Sequence, residues 1–397
     1  MNVFSKAYCR TVQFFTRCAM PFLPYRDPVV VRSIDDVPEM IKNQGLSHPL
    51  IVTGPRLMRS GAVDSLISAL EGGGLNYSVF SEVNNNPTTD TVEDALRAYN
   101  DSGCDSIVAF GGGSPMDAAK AMGARVTRPK KSLKQLKGVM KVRKKIPYFI
   151  AIPTTCGTGS ETTIAAVIVD SQSRHKYAMS DFSLIPSVAV LDARTLDGLP
   201  SELVAYTGFD ALTHAVEAYI GNSTTSSTRA DALKAIKLIF ENLIDASGGD
   251  TAAKSNMLDA SFYAGRAFTR SLVGYVHALA HPLGGKYDIG HGKANAVLLP
   301  IVLREYGKRI YKKLKQIAVY CGFAKENDSV EAAANSFFNR LDMLGDALNI
   351  PKKFDCIVES DIEEMARYAA KEGNPMYPVP VLWNTKKLAE IYKKARA

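Results

Sequence analysis

Two patterns of apolar spacing divide this chain of 397 residues. From about residue 49 to 193, short apolar runs at 50–53, 77–80, 106–110, 148–152 and 188–191 alternate with polar stretches of helical spacing. The runs are four or five residues long and rich in β-branched side chains, which is the signature of parallel strands buried on both faces and joined by helical crossovers. They predict a doubly wound, Rossmann-like α/β domain. Beyond Pro200, the stretches 203–220, 228–246, 253–272 and 327–348 place Ala, Leu, Lys and Glu at helical spacing, and β-branched runs become rare. That half is predicted to be all-helical. The turn residues at 197–201 (Asp-Gly-Leu-Pro-Ser), with Ser201 reading as a helix start, set the boundary between domains 1–198 and 199–397. Residues 1–25 extend the first domain without a motif to place them. The length suits two domains rather than one core, and with no repeat or low-complexity linker they are expected to pack closely around a cleft.

The composition, 46% hydrophobic and 22% charged, is that of a globular protein and excludes collagen, coiled coil and wholesale disorder. The net charge of +8 is local: ten basic residues and no acid lie within 125–145, and the other 38 basic residues meet 40 acidic ones. Such a run is usually a solvated face. It also lacks the interleaved aromatics that stack on bases, so no nucleic-acid partner is expected. The six cysteines are scattered without a C-x-x-C pair, as in a reduced intracellular protein. No apolar run approaches the ~20 residues of a membrane span, and Arg10 and Arg17 interrupt any signal-peptide core. The expectation is a cytoplasmic enzyme with no membrane partner. The apolar stretch 12–23 is expected to pack on a neighbouring domain or subunit.

Candidate chemistry gathers in three places. After one strand come Gly111, Gly112, Gly113 and Ser114, then a helix with Pro115 in its first turn and Asp117 beyond. Glycines let backbone approach a pyrophosphate, and a helix N-terminus offers free N–H groups. The run is not G-x-G-x-x-G, and a plain strand-to-helix turn would look the same. After the next strand, Thr154, Thr155, Thr158 and Ser160 with Gly157 and Gly159 make a loop crowded with donors for ribose and phosphate oxygens, or simply a polar loop before a capped helix. Two such loops at the carboxyl edge of an α/β sheet favour the ligand-binding reading. Third, four of the six histidines, His214, His277, His281 and His291, lie within 78 positions of the helical half. Spacing of four puts Asp210 with His214, and His277 with His281, on single helix faces. A lone histidine on an apolar helix is usually a satisfied core residue. One carboxylate with several imidazoles suits a divalent first-row metal.

The motifs G-G-G-S-P-x-D, P-T-T-x-G-T-G-S-E, G-x-D-A-L-T-H-A-x-E and H-A-L-A-H-P-L-G followed by H-G stand in this order from about residue 49 to the segment 373–380. In them the chain resembles the iron-containing alcohol dehydrogenases. The resemblance implies a Rossmann-like domain over a helical one, with Asp210, His214, His277 and His291 as ligands of Fe²⁺, Zn²⁺ or another divalent metal. His281 would relay a proton beside the nicotinamide, and Lys176 matches a family lysine near the cofactor. Cys156 stands where the family usually has a small residue, and residues 1–25 have no family counterpart. NAD-preferring members carry an Asp at the end of the strand at 50–53, where this chain has Gly54. The glycine removes a carboxylate that would repel a 2′-phosphate and is expected to open space there. Arg56 and Arg59 follow within reach.

The expected activity is therefore hydride transfer between NAD(P)H, preferably NADPH, and a small primary alcohol or aldehyde, in a homodimer or larger homo-oligomer. The competing reading within the same fold is a zinc-dependent polyol or hydroxyacid dehydrogenase, or a lyase that uses the nicotinamide transiently.

Overall fold

The computed structural model describes all 397 residues and divides into two compact units, Pro24–Leu199 and a helical unit formed by Met1–Leu23 with Pro200–Ala397. The α/β unit is built on a six-stranded parallel sheet of β1 (Val29–Val31), β2 (Pro49–Val52), β3 (Ser78–Phe80), β4 (Ser106–Gly111), β6 (Tyr148–Pro153) and β9 (Val188–Val190), ordered β1-β9-β6-β4-β2-β3. Alternate residues of each strand feed opposite faces. Leu50, Val52, Ile107, Ala109, Phe149 and Ala151 pack against the helices Thr89–Asp101 and Gly113–Thr127. Ile51, Val108, Phe110, Ile150 and Ile152 face the helices Val37–Lys42 and Asp64–Gly72. Burial on both faces is why these strands read as continuous apolar runs.

Two features were not legible in the apolar pattern. The edge strand β1 has only three residues. A second sheet joins β5 (Gly138–Val139), β7 (Ala165–Val169) and β8 (Lys176–Ser180), with β7 and β8 antiparallel. Its strands alternate buried and exposed positions, so no continuous run announces them. The arginines of the basic stretch serve the loop around this sheet: Arg125 binds Glu93 and three main-chain carbonyls, and Arg128 donates to Val142 O. Lys130, Lys134, Lys137, Lys141, Lys144 and Lys145 are exposed.

In the helical unit, Ser201–Ile220, Ser226–Ser247 and Thr251–Thr269 pack on one another, followed by Tyr275–Tyr287 and His291–Tyr306. Ser201–Ile220 is buried almost throughout from Val204 onward, so it forms the centre of the unit. Residues 1–25 were expected to extend the α/β domain. Up to Leu23 they belong instead to the helical unit, because their helix Val3–Ala19 is bonded to the turn-rich segment 375–380. Arg10 donates to the carbonyls of Val379 and Pro380 at 2.8 and 2.9 Å, and Gln13 to those of Pro375 and Tyr377 at 3.2 and 2.7 Å. The phenylalanines of 12–23 do not make this contact; the buried residues there are Gln13 and Met20.

One buried cation organises the α/β unit. Lys120, fully buried on the helix Gly113–Thr127, brings its ammonium within 2.7–3.1 Å of five oxygens: Ser160 O and Oγ, Thr163 O and Oγ1, and Ala165 O. Burial lowers its pKa to about 8, with Asp117 and Glu161 opposing the shift. The contact ties the loop after β6 to the helix after β4. Replacing the cation by an isosteric apolar chain leaves those acceptors without a donor in a dry site, so Lys120→Met is expected to cost about 3 kcal/mol of stability. Chemical denaturation followed by circular dichroism measures this, and a change within experimental scatter would show that the loop does not depend on Lys120.

Candidate active site

The helix Ser201–Ile220 carries Asp210 and His214 one turn apart, the helix Tyr275–Tyr287 carries His277 and His281, and His291 opens the helix His291–Tyr306. Two glycines allow these elements to meet. A Cβ on Gly292 would lie 2.5 Å from Tyr206 O, and one on Gly274 would lie 2.5 Å from Glu217 Oε1. One potential ligand atom from each of Asp210, His214, His277 and His291 lies within 4.8 Å of all the others. Asp210 Oδ1 is 4.0 Å from His277 Nε2 and 3.5 Å from His291 Nε2, and His214 stacks on His277 with ring centroids 4.6 Å apart.

Outer contacts aim these atoms. His277 donates from Nδ1 to Glu217 Oε2 at 2.6 Å, leaving the Nε2 lone pair directed towards Asp210. Glu217 also accepts from the amides of Gly274 and Val276 at 2.9 and 2.8 Å. Burial pushes Glu217 up to about 8, against the pull of the main-chain amides of Gly274, Val276 and His277. Burial, followed by the neighbouring imidazoles, holds His277 well below its usual value, so the ring is neutral. Asn295 places its amide nitrogen 2.6 Å from Asp210 Oδ1, 3.3 Å from His277 Nε2 and 3.1 Å from His291 Nε2, while its Oδ1 is buried without a partner. One buried carboxylate and three imidazoles thus turn lone pairs toward a common point. That donor set fits a first-row divalent cation.

His281 lies outside this group. Its Nδ1 donates to Glu372 Oε1 at 2.6 Å, and Tyr377 Oη donates to the same oxygen at 2.7 Å. Burial works against the Glu372 carboxylate, but the His281 charge and the two hydrogen bonds outweigh it and hold the group below its usual range. His281 and His291 stack at 5.2 Å, and each side chain is 39% exposed, against 3% for His277. The cluster is therefore sealed at His277 and open at His281 and His291.

In the α/β unit, the ends of β2, β4 and β6 adjoin at the place where the strand order reverses, since β3 lies beyond β2 and the chain then returns to β4. The two donor-rich loops lie against each other. A Cβ on Gly112 would sit 3.2 Å from Thr155 Cγ2, and one on Gly113 3.2 Å from Thr158 Cγ2. Gly111 accepts from the Thr154 amide at 3.1 Å, and Thr155 Oγ1 is buried without a hydrogen-bond partner. Ser114 lies in the first turn of the helix Gly113–Thr127. Asp117 is committed within the protein, accepting from Ser160 Oγ at 3.2 Å and from the Val167 amide at 3.1 Å. Lys176 begins β8, exposed, and donates to Asn86 Oδ1 at 2.8 Å. Cys156 is buried as a free thiol. Gly54 does not open space as expected: a Cβ there would meet Val83 O at 2.8 Å. Arg56 and Arg59 are exposed on the short helix Pro55–Arg59 that follows.

Two family descriptions match the chain, iron-containing alcohol dehydrogenase over residues 30–193 and the Fe-containing alcohol dehydrogenase family, C-terminal, over 204–396. The 1,3-propanediol dehydrogenase of Citrobacter freundii is 38% identical over 91% of this chain and 95% of its own. The chain belongs to the iron-containing alcohol dehydrogenase family. It is an alcohol or aldehyde oxidoreductase, acting on CH–OH groups. An NADPH-dependent butanol dehydrogenase of Clostridium saccharobutylicum is 35% identical over 79% of this chain and 81% of its own. The crystal structure of a 1,3-propanediol oxidoreductase superposes with a TM-score of 0.89 at 36% identity, covering 94% of this chain and 99% of that one.

In this iron-containing alcohol dehydrogenase, the residues that escaped sequence reasoning are the ones that hold others. Glu217 stands three residues after His214, and Asn295 four after His291, so helical spacing could have raised both. Glu372 has no local signal, because it reaches His281 across 91 positions. Glu161 is buried with both carboxyl oxygens unpartnered, and burial pushes it up to about 7 against the pull of Lys120. Glu217→Gln puts an NH2 group against donors that need an acceptor, and is expected to weaken metal binding about 10–100-fold with helix content unchanged. Metal retained after dialysis against graded chelator measures this; retention equal to wild type would show that Glu217 does not orient His277.

Proposed function

We propose that this protein is a divalent-metal-dependent reductase of small primary aldehydes, reversible towards the alcohols, with NADPH as its preferred hydride donor. The observation that carries the reading is the convergence of Asp210, His214, His277 and His291 within 4.8 Å, with His281 alongside on the same helix as His277. In this reading the four residues hold the cation, Fe²⁺ being the metal named by the family. When bound, the metal supplies Lewis acidity to the substrate oxygen and the nicotinamide supplies the hydride. Asp210 contributes the one negative charge, and the neutral imidazoles contribute lone pairs without one. His281 moves the hydroxyl proton through Nε2, its Nδ1 being engaged by Glu372. In oxidation it accepts that proton, and in reduction it returns one. Gly111, Gly112, Gly113 and Ser114 seat the pyrophosphate, while Thr154, Thr155 and Thr158 offer hydroxyls to the dinucleotide. Asp117 and Lys176 support that seat, Asp117 through Ser160 and Lys176 at the edge of the second sheet.

Assignment of NADPH rests on the loop after β2. Gly54 places no carboxylate where one would repel a 2′-phosphate by about 1 kcal/mol or more, and Arg56 and Arg59 are free to face the phosphate from Pro55–Arg59. The NADPH dependence named for the butanol dehydrogenase relative is in line with this.

His277→Ala and His291→Ala are expected to lose bound metal and to lower aldehyde reduction at least about a hundredfold, with the α/β unit still folded. His281→Ala should keep its metal while turnover falls about 10²–10⁴-fold and the pH profile changes shape. Metal analysis beside kcat/KM separates the two roles, and loss of metal from His281→Ala would reverse the assignment. For the cofactor, wild type is expected to show a higher kcat/KM with NADPH than with NADH, and Gly54→Asp to reverse the order. Because any Cβ at position 54 meets Val83 O, Gly54→Ala is the control that carries the steric change without the charge. A wild-type preference for NADH, or the same ratio in Asp and Ala variants, contradicts the assignment.

A further inference from the structure

The N-terminal helix Val3–Ala19 is amphipathic in the wrong sense for a helix packed on its own protein. Its buried residues are Cys9 and Gln13, and the adjoining turn buries Met20, whereas Phe4, Phe14, Phe15 and Phe22 are 86, 61, 66 and 88% exposed. At 100° per residue, Val3, Phe4, Ala7, Tyr8, Phe14, Phe15 and Cys18 occupy one sector of roughly 140°, which also holds Thr11. Lys6, Arg10 and Arg17 form a row along one edge of that sector. Beyond that row the helix packs on the protein through Cys9 and Gln13, and Arg10 and Gln13 make their bonds to residues 375–380.

The charge around this face has one sign. No acidic residue occurs before Asp27, against four basic ones. Arg17 and Arg229 lie close enough to Lys313 to add to the burial that lowers its pKa to about 8. A second copy docking through the same face would bring the same uncompensated positive charge to the contact, which like-charge repulsion disfavours. An anionic surface that also accepts aromatic side chains meets both requirements. No helix of the protein is long and apolar enough to cross a membrane, so the fitting geometry is a helix lying in the plane of the interface.

We propose that the exposed face of the helix Val3–Ala19 docks on a bilayer surface rich in anionic lipid, with Phe4, Phe14, Phe15 and Phe22 entering the headgroup boundary and Lys6 and Arg17 facing lipid phosphates. The phenylalanines contribute buried apolar area and the basic row contributes attraction that salt weakens. The proposal is independent of the metal and cofactor assignments.

The test uses the full-length protein and large unilamellar vesicles of equimolar phosphatidylglycerol and phosphatidylcholine, beside phosphatidylcholine alone, in co-sedimentation. Wild type is expected to bind the anionic vesicles at least about tenfold more tightly than the neutral ones, and to be released at ~0.5 M salt, which screens contacts beyond a few ångströms. Phe14→Ser with Phe15→Ser, and separately Lys6→Glu with Arg17→Glu, should each lower that binding about tenfold or more. Aldehyde reduction and circular dichroism should match wild type in both pairs, since all four side chains are exposed. Absence of binding to anionic vesicles, or equal binding by the Phe14→Ser, Phe15→Ser protein, overturns the proposal. So does a result in which that protein loses subunits by light scattering while wild type ignores vesicles, because the face is then an interface between copies.

Discussion

A carboxylate and three imidazoles held together out of water are costly unless something outside them fixes each orientation, and the helical unit is arranged around that constraint. Asp210 sits in the buried part of its helix, where its charge has no solvent to rely on. Burial raises its pKa, and the nearby His214, the Asn295 amide and His281 act in the opposite direction. Glu217 fixes His277 through Nδ1 while being itself fixed by two main-chain amides. The glycines at 274 and 292 follow from the same requirement, because the helices bearing the imidazoles must approach Glu217 and Tyr206 more closely than a side chain permits. A cation at the convergence of these lone pairs would relieve the cost of their confinement.

The α/β unit solves a different problem with neutral groups. Its two loops present amides and hydroxyls, and the glycines at 112 and 113 are there because Thr155 and Thr158 from the neighbouring loop occupy the space that side chains would need. Lys120 then locks the second loop from beneath. The pair behaves as one rigid piece, whereas the segment after β2 is bounded mainly by Val83 and ends in exposed arginines.

Much of this was legible in the sequence because it depends on local rules. Five of the six strands of the main sheet show as apolar runs, β2, β4, β6 and β9 because both their faces are buried, and the helices of the second half show through their spacing. Asp210, His214, His277 and His291 could be singled out because each belongs to a short motif, and their convergence follows once the helices carrying them pack. Illegible were the elements whose cause is distant. The strands β5, β7 and β8 alternate like any half-exposed segment, Glu372 finds His281 only through the packing of two helices, and the crowding at Gly54 comes from the carbonyl of Val83 on a separate loop. The first 23 residues could not be assigned because their packed side is made by Cys9 and Gln13, and the aromatic residues that would normally announce a core point outward.

That N-terminal helix is also a clasp. Four carbonyls of the turn-rich segment 375–380 are taken by Arg10 and Gln13, and the same segment holds Tyr377, whose hydroxyl shares the Glu372 oxygen with His281. Those carbonyls would otherwise have to find water, and the segment carrying Tyr377 would lose its fastening on that side. A helix with no counterpart in the shared motifs thus bears mechanically on His281, three contacts away. Shortening the chain at its beginning is therefore not a neutral trim, since it unfastens the far end of the chain.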